Sequence, residues 1–280
     1  MSDLHIYFET GAIGDTGLNL CRANIAMEAM NCTKTIVHTS PVFRCHNKEK
    51  KTCPFVAEII NSCNFIKSIE YDIDYNNQES FHFSKKHNSP IYQPMFFRSN
   101  NDIKNWVDLK KYIPETPISE KVAVIQPISL DMKPPEFVDC YIPVWDRCVN
   151  LLHEKGYSIY MVGGKNDKFD ITMKQKTIDK TINKVGEWSI LQSLAFTIYK
   201  SELVLACDSW SAIWGPAAKV KTFTAWGYRM ENNIDFWVTG FLGNKEFYEY
   251  GWSSQKEYCD AYLAGQLSDY ISKRKCHGKV

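Results

Sequence analysis

Residues 5–20, HIYFETGAIGDTGLNL, decide the fold. His5-Ile6-Tyr7-Phe8 is a short run of strand character, and Gly11, Gly14 and Gly17 break the chain directly behind it. Leu18, Cys21, Ile25 and Ala29 then recur at three- and four-residue intervals, the spacing of a helix with one buried face. The glycines are expected to form a backbone turn between strand and helix, where a missing Cβ lets a ligand approach the chain. Asp15 is expected at the carboxyl end of the strand, the edge at which open α/β sheets build their sites. A dinucleotide-binding turn offers glycines to a pyrophosphate, and a carboxylate at its tip would repel the phosphates. Asp15 therefore has two readings: it accepts a proton from a hydroxyl nucleophile, or it caps the helix.

The totals agree with a globular α/β chain. Its 280 residues suffice for one large domain or two ordinary ones, and 44% of them are hydrophobic, enough to furnish cores. The 33 basic and 32 acidic residues nearly cancel, so net charge calls for neither nucleic acid nor a membrane surface. No basic-then-apolar leader opens the sequence, and no apolar stretch approaches the ~20 residues that cross a bilayer, so a soluble, cytoplasmic protein is expected. The ten cysteines fall at irregular spacings, several within apolar patterns, and read as reduced, mostly buried thiols.

Strand and helix patterns alternate along the rest of the chain. Residues 35–38 read as a strand, 55–62 as a short helix and 65–71 as an apolar-polar alternation, whereas 72–100 has no readable period. YIPETPISE (112–120) carries two prolines and reads as a linker. Beyond it, 122–125 is a compact buried strand, Val144, Cys148, Leu151 and Leu152 mark a helix that Gly156 stops, and 157–162 is a strand running into Gly163-Gly164. Ser189 to Gln192 has the form of a capping box opening a further helix, 203–206 is a strand, a short helix follows Ser209, and 221–225 is one more strand. A second capping box, Ser254 to Glu257, opens a terminal helix with Tyr258, Tyr262, Leu263, Leu267, Tyr270 and Ile271 on one stripe. Such alternation means parallel sheets covered by helices. The expected domains are 1–115, 116–250 and a C-terminal helix, 251–280, packing back on them.

Two loops of the second unit carry chemistry. QPISLDMKP (126–134) follows a buried strand and offers the Ser129 hydroxyl and the Lys133 ammonium, suited to phosphate oxygens. In LACDSWSA (205–212), Asp208-Ser209 ends a buried strand and opens a helix whose free N–H groups and positive dipole end suit a phosphate or a sugar hydroxyl, or are simply capped.

Taken in order, Gly14-Asp15 after the first strand, Pro127…Ser129…Lys133-Pro134, Gly163-Gly164, Gly186 before SILQSL, and Asp208-Ser209 after LVLAC resemble the ADP-heptose:lipopolysaccharide heptosyltransferases, glycosyltransferase family 9. The likeness spans most of the second unit and about the first thirty residues of the first. It implies the GT-B architecture, two Rossmann-like α/β domains with parallel sheets facing each other across a cleft. It implies an inverting transfer without metal or cofactor, with the nucleotide-sugar donor in the C-terminal domain and the acceptor in the N-terminal one. By position, Asp15 would be the base, Ser129 and Lys133 would bind the donor diphosphate, Gly163 and Gly164 would admit the nucleotide, and Asp208 and Ser209 would lie against the donor. The chain departs from the family where Trp210 and Ile213 replace a usual Gly and His. A glycan or small-molecule acceptor is expected ahead of a hydroxylated base in DNA. The other function classes are a nucleotide-sugar-binding protein without catalysis, and a nucleotide-sugar epimerase or hydrolase.

Rival constellations are weaker. Asp72-Ile73-Asp74 has the DxD form that holds a divalent metal, but it alternates like an exposed strand end, and the second unit already offers a metal-free phosphate site. His38, Cys45, His46, Cys53 and Cys63 form a loose Cys/His set with no paired spacing for zinc. The basic run 48–51, with Lys85-Lys86-His87, reads as a solvated face, and Phe96, Phe97 and Trp106 read as core.

Overall fold

The computed structural model describes residues 3–8, 13–39, 54–72, 102–117, 119–128, 135–165, 167, 173–207, 209–226 and 248–252, with the backbone alone for 7, 15, 18, 54, 135–144, 225–226 and 248–252. The chain divides into two compact units, the first built from residues 1–112 with 217–219 and 232–245, and the second from the remainder.

The first unit runs β1 (Leu4–Tyr7), α1 (Ile13–Ala29), β2 (Thr35–His38), α2 (Pro54–Asn61) and β3 (Ile66–Glu70). Its strands lie in the order β1-β2-β3, all parallel. Successive side chains of a strand point to opposite faces, and here Leu4, Ile6, Phe8 and Val37 are buried while His5, Ile36 and His38 share the other face. Leu20 and Ala23 of α1 and Val56, Ile59 and Ile60 of α2 complete the core. Asn31, at φ 52, closes α1, and Cys32 N–H bonds back to the Met27 carbonyl. Residues 102–112 return to the turn behind α2: Asn64 N–H bonds to the Trp106 carbonyl, and the Trp106 ring meets Phe65 edge-on at 5.3 Å.

The second unit contains β4 (Val122–Gln126), α3 (Pro135–Glu154), β5 (Ser158–Met161), α4 (Gln175–Ile178), β6 (Ile182–Asn183), α5 (Ile190–Tyr199), β7 (Leu203–Ala206), α6 (Trp210–Ala217), β8 (Lys221–Trp226) and β9 (Tyr248–Trp252). The six strands are parallel and ordered β6-β5-β4-β7-β8-β9. The chain thus starts in the middle, winds outward to one edge, returns, and winds to the other, which is the doubly wound order of nucleotide-binding sheets. Right-handed crossovers then put α3 and α4 on one face and α5 and α6 on the other. On the first face Ala123, Ile125, Ile159, Met161, Leu205 and Phe223 pack with Trp145, Cys148, Val149 and Leu152 of α3. On the second, Tyr160 meets Phe196 of α5 at 4.6 Å, and Gly215 of α6 lies so close to Thr222 and Val204 that a Cβ would strike the Thr222 hydroxyl.

Several expectations are refined. The helix that Gly156 (φ 77) stops is longer than the residues that marked it, running from Pro135 to Glu154 with Pro143 inside it. The Ser189 capping box is present with both reciprocal hydrogen bonds. α4, β6 and β9 carry no sequence signal that was read: β6 is two exposed residues, and α4 is one turn. The stripe at 254–271 lies outside the described residues. Among the described residues no helix is long and apolar enough to cross a membrane.

Candidate functional site

The carboxyl edge of the second sheet is assembled by backbone hydrogen bonds between strands that are far apart in sequence. Cys207 N–H bonds to the Gln126 carbonyl at 3.0 Å, so the chain leaves β4 and β7 side by side. Val162 N–H bonds to the Ile125 carbonyl at 2.9 Å, which brings the segment after β5 alongside as well. Between β4 and β7 the winding reverses, and open α/β sheets bind ligands outside such a reversal. Trp145 fixes one wall, since it is buried and its Nε1–H donates to the Pro127 carbonyl at 3.0 Å.

The segment after β5 is tightly built. Gly164 N–H donates to Asp167 Oδ2 at 2.6 Å while Asp167 N–H donates to the Gly164 carbonyl at 3.0 Å. A Cβ on Gly163 would stand 2.7 Å from the same carboxylate oxygen, so only glycine fits without moving Asp167. Gly186, at φ 70, donates to the Gly163 carbonyl, and a Cβ there would lie 2.9 Å from Lys165 Cα. Burial pushes the Asp167 carboxyl up from its ordinary value, with the Gly164 amide opposing. Asp167 and Gly186 give this loop its shape. The signal that could have found Asp167 is its three-residue spacing from Gly164, the separation of a reciprocal side-chain and backbone bond.

A polar floor lies under an otherwise apolar edge. Gln126, Ala206 and Thr224 occupy one row across β4, β7 and β8. Gln126 is 1% exposed, and its Oε1 has no hydrogen-bond partner among the described residues, nor have the buried hydroxyls of Thr224 and of Ser211 in the first turn of α6. Buried polar atoms left in this state cost stability unless water or a ligand satisfies them.

Of the residues expected to form the site, Gly163 and Gly164 lie just beyond β5 and Ser209 just beyond β7, the two strands that flank β4 at this edge. Ser129, Lys133 and Asp208 lie outside the described residues, as does Gly11. In the first unit the expectation of a glycine turn at Gly14 and Gly17 needs correction. Both lie inside α1, which starts at Ile13 and absorbs the turn. Asp15 is the third residue of that helix and not its N-cap, a place where a carboxylate suits the positive end of the helix dipole. Trp210 and Ile213 both fall within α6, with Trp210 buried.

The metal readings have no support among the described residues, where no group of three or more His, Cys, Asp or Glu side chains could hold an ion. His38 bonds to Asp72 and His5, while Cys63 is buried with its thiol on the Ile59 carbonyl. Cys45, His46, Cys53 and Asp74 lie outside the described residues. Burial drives the thiols of Cys21, Cys63 and Cys148 upward, that of Cys21 to about 12, so they remain protonated and inert. Cys21, Cys32, Cys63, Cys148 and Cys207 form no disulfide.

No family model and no curated protein matches this sequence. Solved structures do match across nearly the whole chain. A glycosyl transferase family 9 protein from Veillonella parvula matches with a TM-score of 0.57 at 9% identity, over 96% of this chain and 94% of the other. The ADP-heptose LPS heptosyltransferase II of E. coli matches with a TM-score of 0.57 at 9% identity, over 96% and 98%. The E. coli heptosyltransferase WaaC with ADP matches with a TM-score of 0.56 at 11% identity, over 96% and 99%. The chain therefore has the α/β, parallel-sheet GT-B fold of these glycosyltransferases.

Proposed function

We propose that this chain is a nucleotide-sugar-dependent glycosyltransferase, heptosyltransferase-like in build, with the donor on the second unit and the acceptor on the first. One observation carries the reading: in a chain of GT-B fold, the second sheet reverses its winding between β4 and β7, and the chain leaves these two strands side by side there.

Glycosyl transfer separates charge. The acceptor hydroxyl must lose a proton while a diphosphate departs with the bonding electrons, so the reaction needs a base at the nucleophile and positive potential at the leaving group. Asp15 is assigned the proton. Ser129, Lys133 and the N-terminal end of α6 with Asp208 and Ser209 are assigned the diphosphate and sugar, and Gly163-Gly164 the close approach of the nucleotide. One in-line displacement with a single base inverts the anomeric centre, and Lys133 with the helix end supplies the positive charge that a metal provides elsewhere. The acceptor is a glycan or small molecule with a free hydroxyl.

The test starts from thermal-shift measurements against a panel of nucleotide-sugars. A donor at 100 times its dissociation constant stabilises a protein by about 2.7 kcal/mol. With the donor found, Asp15→Asn is expected to leave its binding intact and to lower transfer by about 10²- to 10⁴-fold, the usual contribution of a general base. Full turnover by that variant would remove Asp15 from the role. Donor consumption without any acceptor would instead identify an epimerase or hydrolase.

A further inference from the structure

The half-buried face of the first sheet carries a hydrogen-bonded chain of three titratable groups that the transfer chemistry does not use. His38, the last residue of β2, places Nδ1 2.7 Å from Asp72 Oδ2, just beyond β3, and Nε2 2.8 Å from Nδ1 of His5 on β1. The two imidazole centroids are 5.1 Å apart, which is the nitrogen contact plus about one ring radius at each end, and the planes differ by 24°. The rings are thus joined end to end in nearly one plane, the alignment an N–H···N bond requires. The chain ties β1, β2 and the end of β3 together on the face away from the buried residues Leu4, Ile6 and Val37.

With both rings neutral, the proton positions follow from the acceptor at one end. A carboxylate only accepts, so Nδ1 of His38 carries a hydrogen and donates to Asp72. With His38 neutral its Nε2 is bare and accepts from Nδ1–H of His5. Nε2 of His5 is then bare as well, and His5 is exposed. The outer end of the chain is a nitrogen lone pair, held as an acceptor by two bonds behind it.

We propose that the Asp72–His38–His5 chain is an acceptor-recognition element: Nε2 of His5 accepts a hydrogen bond from a hydroxyl of an uncharged, hydroxyl-rich ligand such as a neutral glycan. It rests on the reading of the first unit as the acceptor side. His5 touches the ligand, while His38 and Asp72 are positioning residues that fix its tautomer. Charge narrows the class further. Glu70 shares the row of His38 on this face, and Asp72 is 55% exposed, so among the described residues these two carboxylates beside His38 disfavour phosphorylated sugars and nucleic acid.

The test is nitrogen NMR of the histidine rings in the ¹⁵N-labelled full chain near neutral pH. Free histidine in water favours the Nε2–H tautomer, whereas the chain requires Nδ1–H at both His5 and His38. His38→Phe is expected to return His5 to Nε2–H. Nε2–H at His5 in the unaltered protein would overturn the proposal. Methyl glucoside and glucose 6-phosphate serve as matched neutral and anionic probes. The Nε2 resonance of His5 should respond to the first, and the second should bind roughly tenfold more weakly or worse. Equal or tighter binding of the phosphate, or no response to the glycoside, overturns the ligand assignment. His5→Gln, whose amide oxygen still accepts, should retain part of the glycoside affinity that His5→Phe loses. None of these readouts involves the nucleotide-sugar, so they stand or fall separately from donor binding and from the effect of Asp15→Asn.

Discussion

The two sheets are made by the same alternation of strand and helix, yet they treat their strands differently. In the second, β4 and β7 are buried at every residue, because α3 and α4 cover one face and α5 and α6 the other. In the first, β2 alternates buried and half-buried positions, and β3 has half-buried and exposed ones only. A sheet buried on both faces can hold a polar floor at its reversal point only by surrounding it with apolar packing, whereas the first sheet, with one face only half-buried, can lay charged and polar groups in a row on that face. The former suits a pocket with few polar groups, and the latter suits a surface that meets a hydroxylated ligand from outside.

The sharpest way to break this comparison is at Trp145. It is fully buried on α3 and also bonds the Pro127 carbonyl, so Trp145→Ala removes packing and releases the start of the loop that carries Ser129 and Lys133. Large-to-small aromatic substitutions in a core cost about 3–5 kcal/mol. Denaturant unfolding should show a loss of that size, and a loss below about 1 kcal/mol would mean that the α3 face is not the packed core described.

A smaller effect compares the sheets directly. Val124→Thr puts a hydroxyl into the central strand of the second sheet, at a site with no exposure, and an unsatisfied buried hydroxyl costs about 1–3 kcal/mol. Ile36→Thr puts the same group at a half-buried position of the first sheet, within reach of solvent, and the expected cost is less than about 1 kcal/mol. Equal costs in unfolding experiments would show that both faces of the first sheet are shielded from water.

This difference in cover also explains what could be read in the sequence. Continuous apolar strands such as VAVI and LVLA, and the reciprocal cap at Ser189, are local signals that packing reinforces, and they appear where expected. The glycine stretch at 11–17 was legible as a break but not as a helix start, since helix propensity alone argues against Gly14 and Gly17 inside α1. The bond between His5 and His38 was beyond reach for a different reason. It joins residues 33 apart, and it depends on the parallel register that sets Tyr7 against His38, which no single stretch encodes. The side-by-side exit of the chain from β4 and β7 is likewise a product of strand order.

The smallest predicted effect is at Asp167, and it bears on how the loop after β5 is held. Its carboxyl is pushed above the ordinary value of 3.8 because burial disfavours the charged form more than the Gly164 amide favours it. Below that ordinary value the group is protonated in both folded and unfolded chains, and its contribution to stability is fully present. As pH rises through the elevated folded value, the native loop must hold a carboxylate that the unfolded chain hydrates better, and the contribution is lost. Asp167→Asn keeps an oxygen to accept from Gly164 N–H and cannot ionise. Thermal melts from about pH 3 to about pH 7 should therefore show the unaltered protein losing ground to this variant as pH rises. The opposite slope would mean that the 2.6 Å bond from Gly164 outweighs burial, and that the ionised carboxylate itself holds the glycine loop closed against the carboxyl edge of the sheet.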